Sequence, residues 1–312
     1  MAVRLKDLAQ MEDRLVAGHG MCLGCGIPLI FKIILRATED PIVVANATGC
    51  LEVCTTIFPR TSWNCMWVHS AFENAAATAA GVEAMFKALK NKGKIPADKK
   101  IKFLAVGGDG GTYDIGIQSL SGAMERGHNI VYVCYDNNAY ANTGGQRSSA
   151  TPMGASATTA PAGAKSPGKI QKRKDLTRIL AAHNIPYVAQ SSPHRWQDLF
   201  NKAKKAFEVE GPAFLNVLCL CPTEWKYEES QGINLARLAT ETCVWPLYEV
   251  ENGKYKINYK PKEKKPVLEW LKSQGRFRHL FKEENAGMLE AIQKEVDKDW
   301  EELNKLAAMF GE

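Results

Sequence analysis

Two sets of residues in this chain could do chemistry, and the first is made of thiols. Cys22-Leu23-Gly24-Cys25-Gly26 sets two cysteines in a glycine-bearing loop. That spacing lets both sulfurs face one metal ion or cluster while the glycines relieve the backbone. Cys50 follows in Ala47-Thr48-Gly49-Cys50, and Cys219 and Cys221 lie in Leu218-Cys219-Leu220-Cys221-Pro222. Four thiolates drawn from these positions would suit a structural zinc or a [4Fe–4S] cluster. A redox pair is the other reading of an isolated C-x2-C. Cys54, Cys65, Cys134 and Cys243 stand alone and read as small buried hydrophobes.

The second set is oxygen-rich. Val106-Gly107-Gly108-Asp109-Gly110-Gly111 follows an apolar run and precedes a helical pattern. Glycines at a strand-to-helix turn let a phosphate approach backbone N–H groups at a positive helix end. A carboxylate there would repel a bare diphosphate. It makes sense if a divalent cation such as Mg²⁺ lies between the two anions. A second oxygen donor is expected from the next strand, where Ile130–Tyr135 leads into Asp136-Asn137-Asn138-Ala139-Tyr140. Asn137 comes 28 positions after Asp109, room for one helix and one strand. The two side chains should therefore emerge side by side.

These sites need a frame. From about residue 40 to 220, short apolar runs alternate with helical patterns, which predicts an α/β fold with a mainly parallel sheet flanked by helices. The expected strands are Ile42–Ala47, Lys102–Gly107, Ile130–Tyr135, Pro186–Ala189 and Ala213–Leu218. The expected helices are Ser70–Lys90, Gly116–Arg126, Leu176–His183 and Arg195–Glu208. Parallel strands share one carboxyl edge, where distant cysteines and the oxygen donors could converge. The polar segment 137–169 is too long for an idle connection. From Cys243 the pattern changes, with a hairpin about Asn252-Gly253 and then charged helices. This divides the chain into a main domain, 1–242, and a C-terminal extension, 243–312, expected to wrap and to pack on partner subunits.

Composition closes off other classes. The chain has 312 residues, a net charge of +6 and nine cysteines. Its first residues, MAVRLKDLAQMEDRLV, lack the apolar core of a secretory signal, so a cytoplasmic location is expected, where disulfides are disfavoured. No run approaches the roughly 18 apolar residues of a membrane span. Basic residues thicken at Lys165–Arg178 and Lys254–Lys265 without interleaved aromatics, which reads as solvated or partner-facing surface rather than nucleic-acid binding. There is no G-x-G-x-x-G, no P-loop, and no nucleophile elbow around Ser119 or Ser121. Single histidines such as His69 and His183 read as structural.

Taken together, Gly108-Asp109-Gly110 with Asn137-Asn138 resembles the thiamine diphosphate motif. With Cys22-x2-Cys25, Ala47–Cys50, Ala141-Asn142-Thr143-Gly144-Gly145-Gln146, Cys221-Pro222, Trp245–Tyr248 and Gly275–Arg278, the chain resembles the β subunits of the pyruvate:ferredoxin and 2-oxoacid:ferredoxin oxidoreductases. The resemblance covers nearly the whole chain. It implies a thiamine diphosphate-binding fold in which Asp109, Asn137 and the Ala139 carbonyl hold Mg²⁺. It further implies that Gly49, Cys50, Gly108, Gly110, Gly111, Asn142 and Thr143 line the cofactor, with Asn142 facing the substrate. Cys22, Cys25, Cys50 and a late cysteine, Cys221 in preference to Cys219, would bind one [4Fe–4S] cluster.

The implied reaction is oxidative decarboxylation of a 2-oxoacid, most simply pyruvate, with oxalate or a branched acid as alternatives. Electrons would pass through the cluster to ferredoxin. An α-type subunit would supply the glutamate that activates the aminopyrimidine, and a γ/δ-type subunit the ferredoxin-like clusters. Coenzyme A is an open co-substrate. Two rivals stand beside this reading. A non-redox thiamine-dependent lyase needs no clustered thiols, and a zinc-stabilised scaffold leaves Asp109 and Asn137 idle.

Overall fold

The computed structural model describes residues 3–163 and 165–311. Its strands are β1 (Ile42–Ala47), β2 (Met66–Ser70), β3 (Lys102–Gly108), β4 (Val131–Asp136), β5 (Ala162–Gly163), β6 (Ser166–Pro167), β7 (Tyr187–Ser191), β8 (Ala213–Leu218), β9 (Tyr248–Glu251) and β10 (Lys254–Ile257). All but the small β5–β6 hairpin form one sheet, ordered β10-β9-β7-β8-β4-β3-β1-β2. The pairings from β2 through β7 are parallel. The β9–β10 hairpin adds antiparallel to β7.

The helices are α1 (Leu5–Gln10), α2 (Gly26–Ile34), α3 (Cys50–Thr55), α4 (Ala75–Asn91), α5 (Ile117–Glu125), α6 (Leu176–Ala181), α7 (Trp196–Glu208), α8 (Pro222–Trp225), α9 (Gly232–Glu241), α10 (Val267–Lys272) and α11 (Ala286–Phe310). Both faces of the sheet are covered, which is why β4, β7 and β8 are mostly apolar and buried at every residue. On one face α2 and α7 bury Ile30, Phe31, Ile34, Phe200 and Phe207. On the other, Ala75, Ala76, Ala79 and Ala80 of α4 lie beside Leu120 and Met124 of α5. Their small side chains let α4 sit close to the sheet. A third apolar cluster joins α8–α11 around Trp225, Trp245 and Trp270.

The five expected strands are present within two residues at each end. Two expectations change. Ser70 ends β2 rather than beginning a helix, and α4 starts at Ala75, after Asn74. The stretch before α5 is a π-helical turn, Gly110–Ile115, entered directly from β3. In the Lys165–Arg178 run, Lys165 and Lys172 are exposed as expected, but two members are not solvated surface. Lys169 is buried and donates to the Ser149 carbonyl at 3.2 Å, and Arg173 is paired with buried Asp136.

The segment beyond residue 242 is built into the sheet. β9 pairs with β7, Trp245 Nε1 donates to the Ser191 carbonyl at 2.8 Å, and Asn252 and Gly253 take the left-handed conformations of a tight hairpin turn. Among the described residues no helix is long and apolar enough to cross a membrane.

Candidate active site

Four adjacent strands, β8-β4-β3-β1, run parallel, so their carboxyl ends open on one edge. Cys219 and Cys221 follow β8, Asn137 follows β4, Asp109 follows β3, and Gly49-Cys50 follows β1. The Cys22–Cys25 loop reaches the same edge from the N-terminal side. Gly20 N–H donates to the Cys54 carbonyl at 2.7 Å, and Gly26 N–H to the Leu220 carbonyl at 2.9 Å. That second contact requires glycine, because a Cβ at Gly26 would stand 2.7 Å from the Leu220 nitrogen.

Asp109 is fully buried. Its Oδ1 accepts the Asn137 N–H at 3.1 Å, and its Oδ2 accepts the Ser148 hydroxyl. Burial, with Asp136 nearby, pushes this carboxyl well above the usual range. The Asn137 side chain explains what could relieve it. With its amide oxygen inward, that atom stands 2.9 Å from Asp109 Oδ1 and 2.9 Å from the Ala139 carbonyl oxygen. Three acceptors then face one another without a proton between them. Turning the amide would satisfy them with its NH₂ group. A cation would do the same, and adjacent oxygens on octahedral Mg²⁺ are about 2.9 Å apart.

The neighbouring carboxylate, Asp136, is already satisfied. It accepts from Tyr113 Oη at 2.6 Å, Asn138 N–H at 3.0 Å, Asn138 Nδ2 at 2.7 Å and the Arg173 guanidinium. Asp136 therefore braces the turn, while Asp109 accepts only from the Asn137 N–H and the Ser148 hydroxyl. The brace extends into the C-terminal segment. Trp225 Nε1 donates to the Asn137 carbonyl at 2.7 Å, and Arg276 donates to Asn138 Oδ1 at 3.1 Å from over the Trp225 ring. Burial pulls the Arg276 guanidinium down to about 9.

A cleft of about 540 Å³ of empty space opens beside these groups. Thr48, Gly49, Cys50, Gly108, Gly110, Gly111, Asn137, Ala139, Asn142 and Thr143 all line it, with Phe72 and two tyrosines. One of these, Tyr140, packs so closely on the turn that a Cβ at Gly110 would lie 2.6 Å from its ring. Asn142 and Thr143 sit on a loop closed by Tyr140 N–H to the Gln146 carbonyl at 2.9 Å. Cleft and thiols thus meet at Cys50.

Cys22, Cys25, Cys50 and Cys221 lie within electrostatic reach of one another. Burial, then the neighbouring thiols, pushes Cys25 up to about 12. Cys221 rises to about 11, mainly by burial, with Glu224 and Cys22 adding, and Cys50 rises by burial and then by Cys221, Cys25, Cys54 and Cys22. Cys219 is wholly buried with its sulfur against the Leu220 carbonyl, whereas Cys221 remains partly open beside Thr223, whose hydroxyl donates to Cys22 Sγ at 4.0 Å. Among the described residues no three His, Cys, Asp or Glu side chains converge as ligands of one ion would. Thiolates on a four-iron cluster each take a different iron and so stand farther apart.

One reading of a single residue changes, and one holds with an added contact. Cys54 is half-buried near Cys22, on the same short helix as Cys50, rather than inert core filler. His69 is a hydrogen-bonded residue as expected, its Nε2 2.7 Å from Thr48 Oγ1, which lines the cleft, with Glu52 at 3.8 Å. Neither had a motif; only the pairing of Asn46 on β1 with His69 on β2 brings this histidine to the edge. His183 is structural as expected, held by Ser121 at 2.8 Å and the Ile179 carbonyl at 2.9 Å.

Residues 47–217 match the family described as thiamine pyrophosphate enzyme, C-terminal TPP binding domain. Pyruvate synthase subunit PorB of Methanocaldococcus jannaschii is 53% identical over 286 residues, 92% of this chain and 95% of that protein. The chain belongs to the pyruvate synthase PorB family. PorB of Thermotoga maritima is 49% identical, covering 97% of this chain and 96% of its own. Ketoisovalerate oxidoreductase subunit VorB of Pyrococcus horikoshii is 43% identical, covering 96% and 95%. A solved 2-oxoglutarate:ferredoxin oxidoreductase from Magnetococcus marinus shares the fold, with a TM-score of 0.55 and 21% identity over 73% of this chain and 82% of that one. The PorB-family chain thus carries a thiamine diphosphate-binding domain within an oxidoreductase subunit, which removes the lyase and scaffold rivals.

Proposed function

We propose that this PorB-family chain acts in a 2-oxoacid:ferredoxin oxidoreductase whose substrate is pyruvate, and that it carries Mg²⁺-thiamine diphosphate and one [4Fe–4S] cluster. The observation that carries this reading is the convergence of the Asp109 carboxylate, the Asn137 side-chain amide and the Ala139 carbonyl, the amide 2.9 Å from each of the other two, beside a cleft that Cys50 also lines. When bound, thiamine diphosphate supplies an electron sink for decarboxylation and the cluster a one-electron acceptor.

The chain's own residues do the holding. Asp109, the Asn137 side chain and the Ala139 carbonyl would ligate Mg²⁺, and the backbone at Gly108, Gly110 and Gly111 would take the diphosphate. Gly49, Asn142 and Thr143 would line the reacting end, with Asn142 orienting the substrate. Cys22, Cys25, Cys50 and Cys221 would hold the cluster, Cys221 being favoured over Cys219 by its access. The activating glutamate is assigned to an α-type partner and the onward clusters to a γ/δ-type partner, in a cytoplasmic hetero-oligomer that reduces ferredoxin.

Pyruvate is favoured because the PorB relatives reach 53% identity against 43% for VorB. The assay is 2-oxoacid-dependent reduction of ferredoxin or a viologen by the anaerobically purified complex. Pyruvate, ketoisovalerate, oxalate and 2-oxoglutarate are compared, each with and without coenzyme A. The highest kcat/KM is expected with pyruvate. A preference for another acid would overturn the substrate, and no reduction with any would overturn the function.

A further inference from the structure

One buried polar atom beside the thiols has no partner in the chain. Tyr227 Oη is shielded from solvent, and among the described residues nothing hydrogen-bonds to it. Buried hydroxyls are seldom left unmet, so such an atom asks for an acceptor. Its surroundings identify one. The 227–232 segment lies across the Cys22–Cys25 loop, where a Cβ at Gly24 would meet Glu229 Cβ at 2.8 Å. A Cβ at Gly232 would lie 3.4 Å from Tyr227 Oη, 3.4 Å from Leu220 Cδ1 and 3.8 Å from the Gly24 carbonyl oxygen. The hydroxyl therefore stands between the Cys22–Cys25 loop and the Cys219–Cys221 run. An edge contact with Trp225, ring centroids 6.2 Å apart, holds the phenol in place. Its ionisation is pushed upward by burial and then by Cys219, Cys221 and Cys25, so it stays a proton donor at neutral pH.

We propose that Tyr227 donates a hydrogen bond to a sulfur of the cluster held by Cys22, Cys25, Cys50 and Cys221 and thereby raises the cluster's reduction potential. The inference rests on the cluster reading above. Reduction adds negative charge to the sulfurs, and a fixed donor stabilises that charge more than it stabilises the oxidised form. Tyr227 touches neither substrate nor thiamine diphosphate in this account. It is a tuning residue.

The test is a redox titration of the anaerobically purified complex followed by electron paramagnetic resonance, reading the signal that Cys50→Ala removes. Tyr227→Phe keeps the ring and loses the donor. At a fixed potential its reduced-to-oxidised ratio should fall three- to tenfold, about 30 to 60 mV at 59 mV per decade for one electron. An exchangeable proton coupling seen after transfer to D₂O should disappear with it. Incorporating 3,5-difluorotyrosine at 227, a stronger donor, should shift the ratio the opposite way, and it decides the matter alone if the phenylalanine variant does not assemble. An intact signal with an unmoved midpoint in the variants overturns the inference. A wild-type complex without the signal overturns the cluster reading first, and this inference with it.

Discussion

At Asp109 a carboxylate with no access to solvent faces the Asn137 amide and the Ala139 carbonyl, while Asp136, the next acid along the edge, is neutralised by Arg173. The difference assigns them different work. Removing the Asp109 charge should cost about 3–5 kcal/mol of metal-bridged binding, a loss of at least 100-fold in Mg²⁺-dependent thiamine diphosphate affinity. Calorimetry on Asp109→Ala checks this, and the absorbance of the cluster near 400 nm should persist at roughly wild-type intensity. Cys50→Ala should do the reverse, abolishing that absorbance while Mg²⁺-dependent binding stays within about threefold. If each variant loses both cofactors, the two sites are not separable. Asp109 and Asn137 were legible in the sequence because their spacing is that of consecutive parallel strands. The placement of His69 beside Thr48 was not, and although Gly275–Arg278 stood out in the sequence, the contact of Arg276 with Asn138, 138 positions away, did not.

Secondary-structure elements were read best where both faces are buried. β1 and β8 came out residue for residue, because short, largely apolar runs between turn residues leave few alternatives. β2 escaped because it is a short edge strand with most of its side chains exposed, and the alanine-rich periodicity of α4 appeared to begin at its last residue. Segment 137–169 was seen to be functional in size, but its internal staple, Lys169 reaching the Ser149 and Thr151 carbonyls, has no sequence signature.

The packing of α9 against the start of α7 carries a pH prediction. His194 lies between Ser192 Oγ at 3.0 Å and Thr240 Oγ1 at 3.3 Å, and burial, with Arg195, lowers it to about 4 from 6.5. The unfolded chain therefore takes up this proton first as the medium is acidified. Stability from this site is complete above pH 6.5 and falls through the window down to about 4, by on the order of 3 kcal/mol. Denaturant midpoints of the chain across that window should fall, and His194→Gln should flatten the slope. A slope unchanged by the substitution would assign it to other groups.

At the scale of the whole molecule, one sheet edge gathers segments from residue 22 to residue 276, so the site depends on the complete fold rather than on a detachable domain. The C-terminal stretch is part of this construction. Arg276→Leu should keep apolar cover over Trp225 yet leave Asn138 Oδ1 unmet. That predicts a stability loss of about 1–3 kcal/mol and a weaker hold on thiamine diphosphate, measured by urea denaturation and by calorimetry.

The proposed proximity of thiamine diphosphate and a [4Fe–4S] cluster within a single chain is tested most directly by a single turnover without external acceptor. Thiamine diphosphate-loaded complex is mixed anaerobically with pyruvate while the Cys50-dependent cluster signal is followed. The signal should change to its reduced form in the wild type within one catalytic cycle, and should not change in the Asp109→Ala complex although its cluster is intact. Reduction that proceeds equally in the Asp109→Ala complex, or a wild-type cluster that pyruvate leaves oxidised, would contradict the account.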